Sequence, residues 1–208
     1  MIILNKCFLD TNVLTDWVII NSEIQKKETT EEKINYLKTF RNIRGVALYS
    51  YLLLETLKSN KLIPNYRFFT SRVALAELIS NIKERYIAED LFRKLIPIKY
   101  LKTSKSYITD EISKRTYDDI GNFILSFIKS KKLHLCEKFQ PIVISKLILR
   151  ENIDTYDSLL MTQSIAEKCD FFITSDDRLK IAIENLKVVK SNEIYEKIKS
   201  LIETPVLF

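Results

Sequence analysis

Two short apolar runs that each end at a carboxylate constrain this chain more than any other feature. The first has the sequence FLD at positions 8–10, and the second has the sequence FFITSD at positions 171–176. Apolar runs of this length predict buried strands, and helix-compatible sequence follows both. In a parallel sheet the carboxyl ends of the strands share one edge, where open α/β folds place their binding sites. We therefore expect Asp10 and Asp176 to be neighbours in space.

Strand-like runs alternate with helical spacing along the chain. Strands are predicted at 6–10, 67–70, 133–136, 171–174 and 188–189. A helix is predicted to start within 13–20, and further helices are predicted at 31–44, 46–60, 73–88, 112–128, 141–150, 155–168, 178–184 and 191–202. This alternation indicates a three-layer α/β/α fold around a central, mostly parallel five-stranded sheet. No repeat or linker in the sequence separates a second domain, so we expect residues 1–208 to form one domain with helical elaborations at about 17–66 and 85–131.

The scarcity of histidine and glycine excludes several kinds of site. The chain has one histidine and two isolated glycines, so neither a two-histidine ribonuclease mechanism nor a glycine-rich nucleotide loop can be built. The three cysteines are widely spaced and form no C-x-x-C pair, which argues against a disulfide framework. Buried reduced thiols are the expectation, and a Cys₃His zinc site that uses His134 is the alternative.

Charge and hydropathy favour a polyanionic partner and no membrane. The formal net charge is +6, with 33 basic and 27 acidic side chains, and the pI is about 9.0. A basic excess of this size is consistent with nucleic acid as a partner, although many ordinary surfaces share it. No apolar run approaches the roughly 20 residues of a membrane helix, and no signal peptide is evident, so we expect a cytoplasmic protein.

Two more acids are expected at the carboxyl edge of the sheet. The helix predicted at 155–168 runs back to the strand at 171–174, which brings Asp157 in its first turn close to Asp176. Glu77 lies among apolar neighbours in the first turns of the helix after strand 67–70, and it reaches the same edge if that strand is parallel. The structural alternatives are a helix-capping role for Asp157 or Asp176 and a surface position for Glu77.

Converging carboxylates predict a site for a hard cation. Several negative groups within about 4 Å repel one another, so such a cluster either takes up protons or binds a metal. Ligation by oxygen alone favours Mg²⁺ or Mn²⁺. A metal held in this way can activate water and neutralise a phosphodiester, while lysine and arginine side chains attract the polymer.

At these positions the chain resembles the PIN-domain family of metal-dependent nucleases. The matching segments are LDTN at 9–12, AEL at 76–78, DSLL at 157–160 and ITSD at 173–176. The resemblance implies a parallel sheet in the order 3-2-1-4-5. The residues that it implies as metal ligands are Asp10, Glu77, Asp157 and Asp176. The residues that it implies as orienting the ligands or the scissile phosphate are Asn12, Thr11 and Thr174. Because the register is not fixed, Asp154 and Asp177 are reserve candidates.

The same resemblance implies a function and partners. Members of the family hydrolyse RNA phosphodiesters with Mg²⁺ or Mn²⁺, and many small members are toxins that an antitoxin protein inhibits. The resemblance therefore implies an endoribonuclease that acts on RNA, is a homodimer and has an antitoxin as a candidate partner. Arg178 and Lys180 follow Asp176 closely enough to contact the substrate.

Two other functions compete with the nuclease. A haloacid-dehalogenase-type phosphatase also begins with an aspartate after its first strand and ends with an acidic pair such as Asp176 and Asp177. That class needs a second aspartate two residues after the first, where this chain has Asn12. The other alternative is a PIN-like module that binds RNA or protein without catalysis. Such modules have usually lost one or more of the acids, whereas all four are present here.

Overall fold

The centre of the fold is a five-stranded sheet in which all strands are parallel. The computed structural model describes residues 4–59, 63, 65–97, 108–139, 141–151, 153–176, 179 and 186–203. The strands are β1 (Asn5–Leu9), β2 (Tyr66–Ser71), β3 (Leu133–Cys136), β4 (Phe171–Thr174) and β5 (Lys187–Lys190). Their order in the sheet is β3-β2-β1-β4-β5. The predicted α/β class and the strand order implied by the family resemblance are both confirmed.

Helices flank this sheet. They are α1 (Thr11–Gln25), α2 (Thr30–Ile43), α3 (Gly45–Ser59), α4 (Arg72–Arg93), α5 (Asp110–Phe123), α6 (Pro141–Glu151), α7 (Thr155–Ala166) and α8 (Ser191–Glu203). A π-helical segment, Ile124–Lys129, continues α5. None of the helices within the described ranges has both the length and the apolar character that crossing a membrane requires.

Helices α1 and α4 extend beyond the residues that their sequence patterns indicated. Residues 13–20 are predicted only as the start of a helix; α1 spans Thr11–Gln25, and the polar side chains Asn21 and Ser22 near its end are buried against the fold and extend its inner face. The Ser22 hydroxyl lies 3.3 Å from the Tyr86 hydroxyl on α4, which explains how a polar residue is accommodated there. Helix α4 likewise continues beyond the expected residue 88. The helix predicted at 178–184 falls largely outside the described residues.

Aromatic side chains fix the register at the centre of the sheet. Phe8 on β1 is opposite Phe69 on β2 and Phe172 on β4. The rings of Phe8 and Phe172 stack with their centroids 5.6 Å apart, and both side chains are fully buried. Central strands of a parallel sheet are buried on both faces, and the segments of β1 and β4 that meet here are apolar.

Helices from both elaborations pack against α1. Trp17 on α1 is almost completely buried, and its ring meets Phe123 and Phe127 edge-on at centroid distances of 5.7 and 4.8 Å. Its indole N–H donates to the Glu55 carboxylate on α3 at 2.9 Å. These contacts hold α1 against α3 and against the α5 region, and α1 is the helix that begins directly after Asp10.

The strand order creates a topological switch point between β1 and β4. From β1 the chain moves in one direction through β2 to β3, and it then crosses back to β4 on the other side of β1. At such a point the connections leave the sheet in opposite directions and open a crevice at the carboxyl ends of the two strands. Asp10 follows β1 and Asp176 follows β4, so both lie at this crevice.

Candidate active site

Asp10 is a buried carboxylate that does not serve as a helix cap. It occupies the N-cap position of α1, but its side chain makes no capping hydrogen bond to that helix. Its backbone N–H donates to the Ile173 carbonyl at 3.0 Å, which extends the pairing between β1 and β4. The residue is 1% exposed. An ionisable group buried at a strand end without a capping role is typical of functional sites.

Hydrogen bonds from two neighbouring side chains orient the Asp10 carboxylate. The Thr174 hydroxyl donates to Oδ2 at 2.6 Å, and the Asn12 amide donates to the same oxygen at 3.3 Å. The backbone N–H of Asp176 in turn donates to the Thr174 hydroxyl oxygen at 3.0 Å. Thr174 therefore links the ends of β1 and β4, and it couples the position of Asp176 to that of Asp10.

Burial and neighbouring acids together raise the pKa of Asp10 to about 7, from an ordinary value of 3.8. Loss of hydration is the largest cause, the Thr174 hydrogen bond opposes it, and the negative charges of Asp157 and Glu77 add to it. The structure thus places Asp157 and Glu77 near enough to Asp10 for their charges to act on it.

Glu77 is anchored by a residue from the first motif. It lies half-buried on α4, and its Oε2 accepts a hydrogen bond from the Thr11 hydroxyl at 2.6 Å. Thr11 itself is almost completely buried at the start of α1. The side chains of residues 66 positions apart therefore meet beside Asp10.

The two acids at the start of α7 have different surroundings. Asp154 is exposed and caps the helix, because its Oδ1 accepts from the Tyr156 backbone N–H at 2.9 Å. Asp157 lies half-buried in the first turn and acts on Asp10. Of this pair, Asp157 is the one placed to contribute to the site, and the capping alternative applies to Asp154.

Asp176 is half-buried just after β4, and Lys190 at the end of β5 donates a hydrogen bond from Nζ to its backbone carbonyl. The segment after β4 is therefore held to both neighbouring strands. Three expected site residues, Asp177, Arg178 and Lys180, lie outside the described residues.

The acids form an open group rather than a closed metal cage. Within the part of the chain that the structure describes, no three acidic, histidine or cysteine side chains are arranged closely enough to hold a metal ion as they stand. Nor does any ion pair among those residues involve Asp10 or Glu77. The donors nearby are carboxylate and hydroxyl oxygens, which suit Mg²⁺ or Mn²⁺, and a cation would have to draw the acids together.

Asp16 is a buried acid of this region that the sequence reasoning missed. It lies on α1 one turn after Asn12, is 8% exposed, and lines a cleft that Asp176 also lines. Burial raises its pKa, whereas hydrogen bonds from the Ser175 and Ser50 hydroxyls and the positive charge of Arg44 lower it. The sequence did contain a signal for Asp16: it lies four residues after Asn12, so the two side chains share one face of α1.

The cysteines and the histidine lie apart from this chemistry. All three thiols are free and buried, and burial raises the pKa of each, Cys136 to about 12. His134 on β3 packs beside the Phe69 ring, and burial together with Arg67 lowers its pKa. Among the residues that the structure describes, the cysteines and His134 are not grouped closely enough to form the alternative Cys₃His zinc site.

Comparison with known proteins does not identify a family for this chain. No protein-family model matches the chain, and no curated protein matches it significantly.

Proposed function

We propose that the protein is a Mg²⁺- or Mn²⁺-dependent endoribonuclease of the PIN-domain type. The observation that carries this proposal is Asp10: a carboxylate that is 1% exposed, at the switch point of a parallel sheet, with its pKa raised to about 7 and two more acids acting on it. The sheet order agrees with the one that the sequence resemblance implied.

The electrostatics of the site favour a divalent cation. Burying the charge of Asp10 is unfavourable, and Glu77 and Asp157 increase the cost because like charges repel. A proton relieves this at low pH. Near neutral pH a hard cation relieves it for all the acids at once, and their oxygen atoms are the ligands that Mg²⁺ and Mn²⁺ prefer.

The residues of the proposed site fall into metal ligands and side chains that orient them. Asp10, Glu77, Asp157 and Asp176 hold the metal, which when bound activates water and neutralises the phosphodiester. Thr174 and Asn12 orient Asp10, and Thr11 orients Glu77, through the hydrogen bonds that they donate. The net charge of +6 attracts the RNA backbone.

The remaining assignments follow from the resemblance. We propose that the protein acts on RNA in the cytoplasm, forms a homodimer, and is either a toxin regulated by an antitoxin protein or an RNA-processing enzyme. The helical elaborations at about 17–66 and 85–131 belong to the same single domain in this proposal. Two sets of contacts at Trp17 on α1 support this: its ring packs against Phe123 and Phe127 of the second elaboration, and its indole N–H donates to Glu55 of the first.

The residue at position 12 argues against the phosphatase alternative, because it is an asparagine and not a second aspartate. Its amide donates a hydrogen bond to Asp10, and an amide cannot act as the acid or base that phosphoryl transfer through an aspartate needs. Covalent capture of phosphate on Asp10 would nevertheless favour that class.

Cleavage of single-stranded RNA by matched variants tests the proposal. Wild-type protein should cleave with Mn²⁺ or Mg²⁺, EDTA should stop it, and Asp10→Asn should abolish it. Asp118→Asn, which replaces an exposed aspartate on α5, is the matched control and should stay active. Equal residual cleavage by wild type and Asp10→Asn would mean contamination and remove the support for this mechanism. Metal binding without cleavage of any RNA would favour a binding module.

A further inference from the structure

A polar cleft adjoins the acidic site; it shares Asn12 and Asp176 with that site, and its other lining residues have no part in the proposed metal chemistry. Its volume is about 430 Å³. Its walls come from α1, from the junction of α2 and α3, and from the segment after β4, and they include Thr15, Asp16, Arg44 and Ser175. Asp176 lines it as well, so the cleft adjoins the position where the scissile phosphate would lie.

Asp16 gives this cleft an unsatisfied hydrogen-bond acceptor. The residue is 8% exposed; the hydroxyls of Ser175 and Ser50 hydrogen-bond to its carboxylate, but its Oδ2 has no partner of its own. A buried polar atom without a partner is costly and uncommon, which points to a donor that binding supplies. Because an aspartate turns easily about χ2, either carboxylate oxygen can face the cleft. The Thr15 hydroxyl oxygen is buried without a partner in the same wall.

Arg44 adds a positive charge to the lining of the cleft. It is exposed where α2 ends and α3 begins, and its charge is near enough to lower the pKa of Asp16. A guanidinium group is well suited to contact phosphate oxygens. The cleft therefore combines a carboxylate able to accept a hydrogen bond with a cation suited to a phosphate, and a nucleotide offers both complementary groups.

The lining favours the sugar and phosphate of a nucleotide over its base. Among the described residues that line the cleft, Ile19 is the one apolar side chain, and none is aromatic. Bases of single-stranded RNA are usually bound by stacking on aromatic rings, and the described lining residues include no aromatic ring. The ribose 2′-hydroxyl is the donor that distinguishes RNA from DNA.

We propose that this cleft binds the ribose and phosphate of an RNA nucleotide next to the cleavage site, with Asp16 accepting a hydrogen bond from the 2′-hydroxyl and Arg44 contacting the phosphate. This rests on the proposed nuclease function, and it specifies how that site selects RNA over DNA. Asp16 is a substrate-binding residue in this account, separate from the metal ligands.

Binding of matched oligonucleotides tests the proposal without cleavage. The probes are fluorescein-labelled RNA and DNA 12-mers of one sequence without uridine or thymidine, measured by fluorescence anisotropy with Ca²⁺ in place of Mg²⁺ or Mn²⁺. Wild-type protein should prefer RNA by about tenfold, as one hydrogen bond to a charged group gives. Asp16→Ala should lose that preference, whereas Asn21→Ala, equally buried on the same helix, should keep it. Arg44→Ala should weaken RNA and DNA binding alike.

A second experiment uses wild-type protein only, in case Asp16→Ala does not fold. RNA 12-mers with a single 2′-deoxynucleotide at successive positions should include one position where affinity falls about tenfold. An unchanged RNA preference in folded Asp16→Ala, equal affinity across all the single-deoxy probes, or no binding of either nucleic acid would overturn the inference. The nuclease proposal can fail separately: an RNA preference that depends on Asp16 in a protein that cleaves nothing would uphold the cleft and reject the catalysis.

Discussion

Replacing Asp10 by asparagine should make the metal-free protein more stable, and more so at higher pH. The amide has nearly the same shape and can still accept the Thr174 hydrogen bond, but it carries no charge. Because burial raises the pKa of Asp10 from 3.8 to about 7, the folded protein keeps a proton there that the unfolded chain releases. The stability due to this protonated carboxyl is fully present below about pH 4 and is lost as the pH rises through about 7.

The size of the effect follows from the two pKa values. At about 1.4 kcal/mol per pKa unit, the difference between 3.8 and about 7 corresponds to about 4 kcal/mol. With EDTA present, we therefore expect the unfolding free energy of Asp10→Asn to exceed that of wild type by about 2 kcal/mol near pH 5 and by about 4 kcal/mol near pH 8.

Urea denaturation followed by circular dichroism at both pH values measures this difference. Asp118→Asn, which removes an exposed charge on α5, should show no comparable gain. Adding Mn²⁺ should restore the stability of wild type near pH 8 and leave Asp10→Asn unchanged, because a ligand stabilises the state that binds it. An Asp10→Asn protein that is no more stable than wild type near pH 8, or whose gain is the same at both pH values, would refute the reasoning.

Three other substitutions probe the site and the core. Thr174→Val removes the hydroxyl that donates to Asp10, so calorimetric titration should show about tenfold weaker Mn²⁺ binding; unchanged affinity would mean that Thr174 does not orient the ligand. Glu77→Gln removes a charge that raises the Asp10 pKa, so in a denaturation series the loss of metal-free stability should be smaller than in wild type and should level off at a lower pH. Trp17→Ala should cost about 3–5 kcal/mol of unfolding free energy, against less than about 0.5 for Tyr117→Ala, which is 79% exposed; similar losses would contradict the packing described.

The strands were predictable because their signal is local. Runs such as FLD at 8–10 and FFITSD at 171–176 are short, apolar and end at an acid, and the structure places both at the carboxyl edge of one sheet. The spacing of positions 12 and 16 is equally local, yet Asp16 was missed. An aspartate on a helix is usually solvent-exposed, and nothing local shows that the junction of α2 and α3, with Arg44, closes over it.

The details that the sequence did not reveal depend on backbone geometry and distant contacts. The apolar spacing from Ile120 to Ile128 predicts a continuous α-helix, but the structure changes to a π-helix after Phe123. Side-chain periodicity does not distinguish the two hydrogen-bonding patterns over so few residues. The hydrogen bond from Thr11 to Glu77 was likewise not predictable, because it requires α1 and α4 to be packed together first.

Calorimetric titration of metal-free protein with Mn²⁺ near pH 7.5 tests the central claim most directly. If Asp10 and its acidic neighbours form a cation site, wild type and Asp118→Asn should bind Mn²⁺ with equal affinity, and Asp10→Asn should bind at least about tenfold more weakly. Equal Mn²⁺ affinity in wild type and Asp10→Asn would contradict the account, because the most deeply buried acid at the switch point would then have no part in holding a metal.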